Sequence, residues 1–250
     1  MHNLLNYRVF GNGHPVVFLH GFLEDVSMWE FLTSQQIPFQ AICIDLPGHG
    51  LSQLTDDSPS LAFMADEVLK VLDFLKLSDF HIVGHSMGGY VALLIKEKRI
   101  DCRKIVLLNS NFWEDTPEKK LDRIRVADIV FQAKELFLNV AIPGLFYRYF
   151  PEEPAVKALR KIADQCRPEA IAYAALAMRE RKHQLQTLQN FSNDFLILQG
   201  EYDPLITKEK MDEELKGLAI KIVEIKNAGH MAHTENPSDT ALLLIDFLTD

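Results

Sequence analysis

Ser86 stands in Gly84-His85-Ser86-Met87-Gly88, directly after the apolar run Phe80-His81-Ile82-Val83 and just before Tyr90-Val91-Ala92-Leu93-Leu94-Ile95. A serine on a sharp strand-to-helix turn holds its hydroxyl clear of the backbone, in a strained conformation. Glycines at 84 and 88 let strand and helix approach with no Cβ between them. The helix start beside Ser86 offers unpaired N–H groups and the positive end of a dipole. These are the needs of a serine nucleophile whose intermediate carries an oxyanion. The same motif also serves as a tight connection with no chemistry, so it points to catalysis only if a carboxylate and an imidazole occur later in suitable places. Asp203, in Gly200-Glu201-Tyr202-Asp203-Pro204, and His230, in Ala228-Gly229-His230-Met231, are the candidates.

The elements that would position them can be read from periodicity. Tyr7-Arg8-Val9-Phe10 is a short strand, with a turn at Gly11-Asn12-Gly13. Val16–Leu19, Ala41–Ile44, Phe80–Val83, Lys104–Leu108, Phe195–Leu198 and Lys221–Ile225 are short apolar runs, as in strands buried on both faces of a parallel sheet. Helical spacing lies between them. Met64, Val68, Leu72 and Leu75 form one stripe, and Ala241, Leu244, Ile245 and Leu248 another, after Asn236-Pro237. Ser27-x-x-Glu30 predicts a capping box and a helix from Met28, Ser58-Pro59 a helix start, and Thr207 a cap for a helix through Leu215. Strands alternating with helices imply βαβ units and right-handed crossovers. Ligands on such sheets bind beyond the carboxyl ends of the strands. The strands lead in turn into His20-Gly21-Phe22, Asp45, Ser86, Asn109, Asp203 and His230. Nucleophile, acid and imidazole thus share one edge, in the order Ser, Asp, His.

The alternation stops between about Asn111 and Gln189, where no strand is predicted. Thr116-Pro117-Glu118, Glu153-Pro154 and Arg167-Pro168-Glu169 read as helix starts with proline just inside. Phe112, Trp113, Phe131, Phe137, Phe146, Tyr147, Tyr149 and Phe150 crowd this stretch. Together they suit a helical insertion that lies over a sheet and forms an apolar cavity with it.

These pieces together resemble the α/β-hydrolase fold, in its serine esterase and lipase-like members with a helical cap. The resemblance rests on His20-Gly21-Phe22, Asp45-Leu46-Pro47-Gly48-His49-Gly50-Leu51-Ser52, Gly84-His85-Ser86-Met87-Gly88-Gly89, Gly200-Glu201-Tyr202-Asp203-Pro204 and Gly229-His230. It implies an α/β protein with a mostly parallel central sheet flanked by helices. Residues 1–110 and 190–250 would form the core, and residues 111–189 a cap inserted after what the family counts as the sixth strand. Ser86 would be the nucleophile, His230 the base and then the acid, and Asp203 the group that fixes the imidazole tautomer. Backbone N–H groups of Phe22 and Met87 would form the oxyanion hole. Each assignment has an alternative. Asp203 can merely cap the turn before Pro204. His233 competes with His230, although Gly229-His230 fits the family pattern. His20, His49 and the Asp45 loop are expected to shape loops, and His85 to point inward. Asn109 and Ser110 stand where a rival acid would be.

Composition narrows the partners. The 250 residues carry a net charge of −9 with no basic tract, which argues against nucleic acid or an anionic membrane as partner. The start Met1-His2-Asn3-Leu4-Leu5 has no basic segment leading into an apolar one, and no run nears the roughly 20 apolar residues of a membrane span. Cys43, Cys102 and Cys166 are widely spaced and read as reduced, buried thiols, so a cytoplasmic location is expected. No metal constellation, phosphate loop or dinucleotide fingerprint appears, so no cofactor is expected. The reading is a serine hydrolase acting on a small to medium carboxylic ester or thioester through an acyl-enzyme, as monomer or homodimer. Three alternatives remain: a C–C bond hydrolase, a lyase like the menaquinone-pathway synthases, or a small-molecule receptor without turnover. Some relatives of the resembled family in menaquinone synthesis carry an arginine just after the elbow glycines, where Tyr90 stands here, which weakens that alternative without removing it. Arg123, Arg125, Arg148, Arg160 and Arg179 are the insertion's candidates to meet a carboxylate substrate.

Overall fold

A computed structural model describes residues 4–148 and 153–250. Tyr149 and Phe150, two of the insertion's aromatics, lie outside them. Seven strands form one sheet: β1 Tyr7–Phe10, β2 Pro15–Leu19, β3 Gln40–Ile44, β4 Phe80–His85, β5 Cys102–Leu108, β6 Phe195–Gly200 and β7 Lys221–Ile225. Their order is β1-β3-β2-β4-β5-β6-β7. β1 runs antiparallel to β3, and the other neighbours are parallel.

Register explains why distant residues meet. Leu19 pairs with Ile44 and with Gly84, His85 with Leu108, Leu108 with Leu198, and Gly200 with Ile225. The carboxyl ends are therefore level, and the loops after them share one edge. The chain passes from β2 outward to β3, then returns across β2 to β4. That reversal opens a crevice between the loops after β2 and β4. Cross-strand bonds hold the ends together: Ser86 N donates to Leu108 O at 3.0 Å, and Asn109 N to Leu198 O at 2.8 Å.

The helices are α1 Glu30–Thr33, α2 Leu61–Phe74, α3 Met87–Lys98, α4 Pro117–Ala141, α5 Pro154–Gln165, α6 Pro168–Arg179, α7 Leu185–Asn190, α8 Lys208–Glu214, α9 Ala232–Glu235 and α10 Pro237–Thr249. Strand alternation sends Val17 and Leu19 to one face of the sheet, where Met64, Val68 and Leu72 of α2 and Val91 and Ile95 of α3 cover them. Val16 and Phe18 point to the other, against Trp29, Leu32, Leu244 and Leu248. Both faces are thus dry, which is why the strands read as unbroken apolar runs.

Two predicted caps are corrected. The turn before α1 is a 3₁₀ segment, Val26–Trp29, capped by Asp25, whose carboxylate accepts from Ser27 N. Ser27 is therefore a partner of the cap, and no Ser27–Glu30 capping box forms. Ser60, two residues beyond the expected Ser58, caps α2 through Phe63 N. The starts at Thr116, Glu153, Arg167, Thr207 and Asn236 lie where the sequence puts them.

Helices α4 to α7 lie between β5 and β6, with no strand among the described residues there. The strand the family counts as sixth is the fifth here, because β1 is followed directly by the strand ending in His20-Gly21-Phe22. α4 is interrupted at Ala133, where φ −149° and ψ 50° leave the helical region. The insertion docks through a cluster in which Leu23 and Met231 of the core meet Val130, Leu138, Ile142, Phe146, Val156, Leu159 and Ile171. Phe112 and Phe146 are buried as packing residues, whereas Phe131 is 59% exposed. No described helix is long and apolar enough to cross a membrane.

Candidate functional site

Ser86 sits between β4 and α3 with φ 47° and ψ −115°, a conformation that a side chain disfavours. The close packing of the turn forces it. A Cβ on Gly84 would lie 2.5 Å from Gly88 O and from Gly89 N. Ser86 remains partly exposed while its neighbours on both sides are buried. Its carbonyl accepts from Ser110 Oγ at 2.7 Å. Met87 begins α3, so its N–H has no acceptor within the helix. Phe22 follows β2 on the facing lip of the crevice, and its neighbour Leu23 is itself held at φ 67°.

His230 Nε2 lies 2.8 Å from Ser86 Oγ, and His230 Nδ1 lies 2.9 Å from Asp203 Oδ2. A carboxylate can only accept, so the hydrogen of the neutral ring belongs on Nδ1. Nε2 is then bare and faces the serine hydroxyl as an acceptor. Asp203 receives three further donors. Asn109 Nδ2 reaches Oδ2 at 2.9 Å, and the amides of Leu205 and Ile206 reach Oδ1 at 2.9 and 3.1 Å. Burial alone would raise its pKa, but the His230 ring and these bonds hold the carboxyl below its usual value. Asn109 also donates to Gly229 O at 3.0 Å, so one amide bridges the acid and the loop of the imidazole. Asn109 sits at φ 44°. The sequence marks it only as a position lacking a carboxylate. Its positive φ at a strand end is the signal of a special role, and it becomes visible only in three dimensions.

The insertion also holds this loop. His230 N donates to Leu145 O at 2.8 Å, while Glu235 accepts from Tyr147 N at 2.8 Å and from Gly229 N at 2.7 Å. Tyr147 stacks on Tyr202, next to Asp203, with ring centroids 3.6 Å apart.

The other histidines occupy loop-shaping places. His20 Nε2 accepts from Leu46 N at 2.9 Å, and His49 Nδ1 lies 3.1 Å from Pro47 O. Burial pushes His49 down to about 4. Asp45 accepts from Asn6 Nδ2, Val26 N and Leu51 N. His85 points inward, to Glu24 and the His230 carbonyl. His233 packs edge-on against it, with ring centroids 4.9 Å apart. Glu24, His85 and His233 are the described residues whose donor atoms cluster within 4.8 Å. Glu24 Oε2 and His85 Nδ1 are 2.7 Å apart, a hydrogen-bond length with the proton between them. Cys43, Cys102 and Cys166 are free and buried, and burial pushes their thiols up to about 12, 12 and 11.

Residues 16–241 match the profile of the alpha/beta hydrolase family. The chain belongs to that family. Among solved structures, a thermophilic esterase from Thermogutta terrifontis superposes on this alpha/beta hydrolase with a TM-score of 0.89 and 30% identity, over 98% of this chain and 93% of the esterase. Among curated relatives, the dihydrolipoyllysine-residue acetyltransferase component of an acetoin cleaving system from Cupriavidus necator is 26% identical over 95% of the chain. The chain spans 64% of that protein's length. A 2-succinyl-6-hydroxy-2,4-cyclohexadiene-1-carboxylate synthase from Enterobacter sp. (strain 638) is 27% identical, covering 94% of this chain and 92% of the synthase. As an alpha/beta hydrolase the chain belongs to a family of enzymes, and the three relatives act in different ways.

The arginines bear on that difference. Arg123 pairs with buried Asp115 at 3.0 Å, Arg125 with Asp122 at 2.8 Å, Arg160 with Asp164 and Arg179 with Glu180 at 3.3 Å. Arg148 lies over the Tyr147 ring. Arg181 stacks on Tyr90 at 4.4 Å, and Asp115, Trp113 O and Met178 O take its donors. Two clefts lie between insertion and core. One of about 360 Å³ is bordered by Met28, Leu159 and Met231, and one of about 440 Å³ by Leu61, Tyr90 and Phe112.

Proposed function

We propose that the chain is a serine hydrolase that cleaves a small to medium carboxylic ester or thioester through an acyl-enzyme on Ser86. The observation that carries this reading is the continuous hydrogen-bonded chain Ser86–His230–Asp203, ending on a partly exposed hydroxyl. In the first step Ser86 Oγ bonds to the acyl carbon while its proton passes to His230 Nε2. Asp203 stabilises the resulting imidazolium. The carbonyl electrons move to oxygen, and the amides of Phe22 and Met87 donate hydrogen bonds to the oxyanion so formed. Collapse expels the alcohol or thiol, which takes the proton from Nε2. Water then repeats the sequence and frees the acid.

In this reading residues 111–189 act as a cap whose apolar face meets the acyl or alcohol part. The likeness to an esterase at 30% identity supports ester cleavage. The carboxylate partners of Arg123, Arg125, Arg160, Arg179 and Arg181, with Tyr90 after the elbow glycines, favour an uncharged substrate over the carboxylate of a synthase-type reaction. The test is hydrolysis of p-nitrophenyl acetate and butyrate by the wild type and by Ser86→Ala. Turnover should fall at least about 10³-fold in the variant. A fluorophosphonate should label the wild type once per chain and leave the variant unlabelled. Unchanged turnover in Ser86→Ala refutes the assignment. Absence of both turnover and labelling in the wild type favours a receptor.

A further inference from the structure

Glu24, His85 and His233 lie behind Ser86 and His230, on the loop after β2, the end of β4 and helix α9. Glu24 follows Phe22, His85 precedes Ser86 and His233 follows His230. All three are buried. Glu24 Oε2 accepts from Gly21 N at 2.6 Å and lies 2.7 Å from His85 Nδ1. The other nitrogen of His85, Nε2, lies 3.0 Å from the carbonyl oxygen of His230. Both partners of His85 are acceptors, and a neutral imidazole has one N–H. With Glu24 as a carboxylate, only the doubly protonated ring satisfies both. A neutral ring would set a lone pair against the carboxylate or the carbonyl in a buried place, where an unmade bond costs about 1–3 kcal/mol.

The surroundings agree with a charged pair. Burial opposes an imidazolium at His85, and the carboxylate of Glu24 beside it outweighs burial and raises its pKa. Burial likewise opposes the Glu24 carboxylate, but His85 brings it down to about 2. The other titratable groups facing His85 are His230, His233 and Asp203. The ring of His230 is 5.3 Å away and that of His233 4.9 Å, edge-on. Burial pushes His233 down to about 3, so it stays neutral, with Nε2 at 3.5 Å from Glu24 Oε1. His20 is a further neighbour of Glu24.

We infer that Glu24 and His85 are positioning residues for the Ser86 reaction, forming a buried carboxylate–imidazolium strut that ties the Phe22 loop and the His230 backbone to the nucleophile. The inference rests on the proposed role of Ser86. The strut reaches both working loops from behind. Glu24 holds Gly21 N, one residue from the Phe22 amide, and His85 holds the carbonyl of the base itself. An oxyanion donor must lie within about 2.7–3.1 Å of the charge it receives, so a small drift of either loop lowers the rate. If the carboxylate is removed, His85 loses its extra proton more easily. Two acceptors, Nε2 and His230 O, can then face each other at 3.0 Å and push the base away.

Two measurements test this. Nitrogen NMR of histidine-labelled wild type at pH 8 should show a buried ring with both nitrogens protonated, absent from His85→Gln. Glu24→Gln preserves shape while removing charge. At pH 8 its kcat should fall about 10- to 100-fold, within the reach of an ångström-scale displacement, with KM changed less than about twofold. The same NMR measurement on Glu24→Gln should show His85 with a single protonated nitrogen, because burial then acts on the imidazolium without the carboxylate that outweighs it. A singly protonated His85 in the wild type overturns the strut, and so does a folded Glu24→Gln whose kcat at pH 8 lies within twofold of the wild type. If Glu24→Gln fails to fold, the wild-type NMR result decides alone. Retained turnover in Ser86→Ala breaks the hydrolase reading and leaves the charge state of His85 standing, so the two failures are distinguishable.

Discussion

Replacing Gly84 by alanine inserts one methyl group between β4 and α3. That methyl would sit 2.5 Å from Gly88 O, 2.5 Å from Gly89 N and 2.6 Å from Gly88 C. All three are backbone atoms, so no side chain can rotate away. Ordinary contact begins near 3.4 Å, and strand and helix must therefore part by about 0.9 Å. Ser86 lies midway between Gly84 and Gly88 and moves with them, while His230 stays on its own loop. The 2.8 Å bond between Oγ and Nε2 then stretches or bends. A displacement near 1 Å costs about 10²-fold in rate, equal to about 2.7 kcal/mol of activation free energy. Overpacking adds about 1–3 kcal/mol of instability, or a few degrees to about 12 °C in Tm for a chain of this size. The assay is p-nitrophenyl ester hydrolysis beside a thermal melt. Gly144→Ala is the control, since nothing lies within 4 Å of a Cβ there, and it should change neither quantity. A Gly84→Ala variant within twofold of wild-type kcat/KM would refute the claim that elbow packing sets the position of Ser86.

Further outcomes are expected from the same geometry. Ser86→Gly should abolish ester hydrolysis yet raise Tm by a few degrees, because a strained φ costs about 1–3 kcal/mol and glycine's added chain entropy returns only about 0.5–1; a lower Tm contradicts the strain. Asp115→Asn leaves Arg181 and Arg123 at a buried site without their shared counter-charge. It should cost about 3–5 kcal/mol in urea unfolding, and a loss below about 1 shows that the cluster is not stabilising. His49, His81 and His233 have folded pKa values of about 4, 4 and 3 against an ordinary 6.5. Their contribution is present above pH 6.5 and is lost as pH falls, because the unfolded chain takes up protons the folded one refuses. His85, raised, works oppositely, but it is charged in both states below pH 6.5 and so offsets only part of the loss, between pH 7 and pH 6.5. Unfolding free energy should drop by on the order of 4 kcal/mol between pH 7 and pH 5, and a flat dependence over that range rejects the buried neutral state of these rings.

The sequence makes the candidate residues legible because each lies in the loop after an apolar run. Level strand ends turn one-dimensional order into a shared edge, so Ser86, Asp203 and His230 can be picked out without coordinates. What stays hidden depends on side-chain reach. Glu24 lies sixty-one positions from His85, and Asn109 ninety-four from Asp203. No periodicity records such a contact. Capping signals fail where candidates crowd together. Asp25 competes with Ser27, and Ser60 with Ser58, and the winner is fixed by which side chain meets a free amide. The aromatics of the insertion mislead for another reason. α4 breaks its helical course at Ala133, so spacing across the break does not report a single face, and Phe131 turns to solvent.

The order of strands also bears on synthesis. When β5 leaves the ribosome, β1 through β5 can already form a continuous sheet, but the free edge of β5 waits for β6. Residues 109–194 must emerge first, which at roughly 5–20 residues per second takes on the order of 4–17 s. Through that interval Ile105, Val106, Leu107 and Leu108, all fully buried in the finished chain, line an unpaired edge able to recruit another strand. The nascent chain is thus most exposed to aggregation before the partner of β5 exists. Shielding of that edge by a chaperone, or by the insertion's own early helices, would govern its yield.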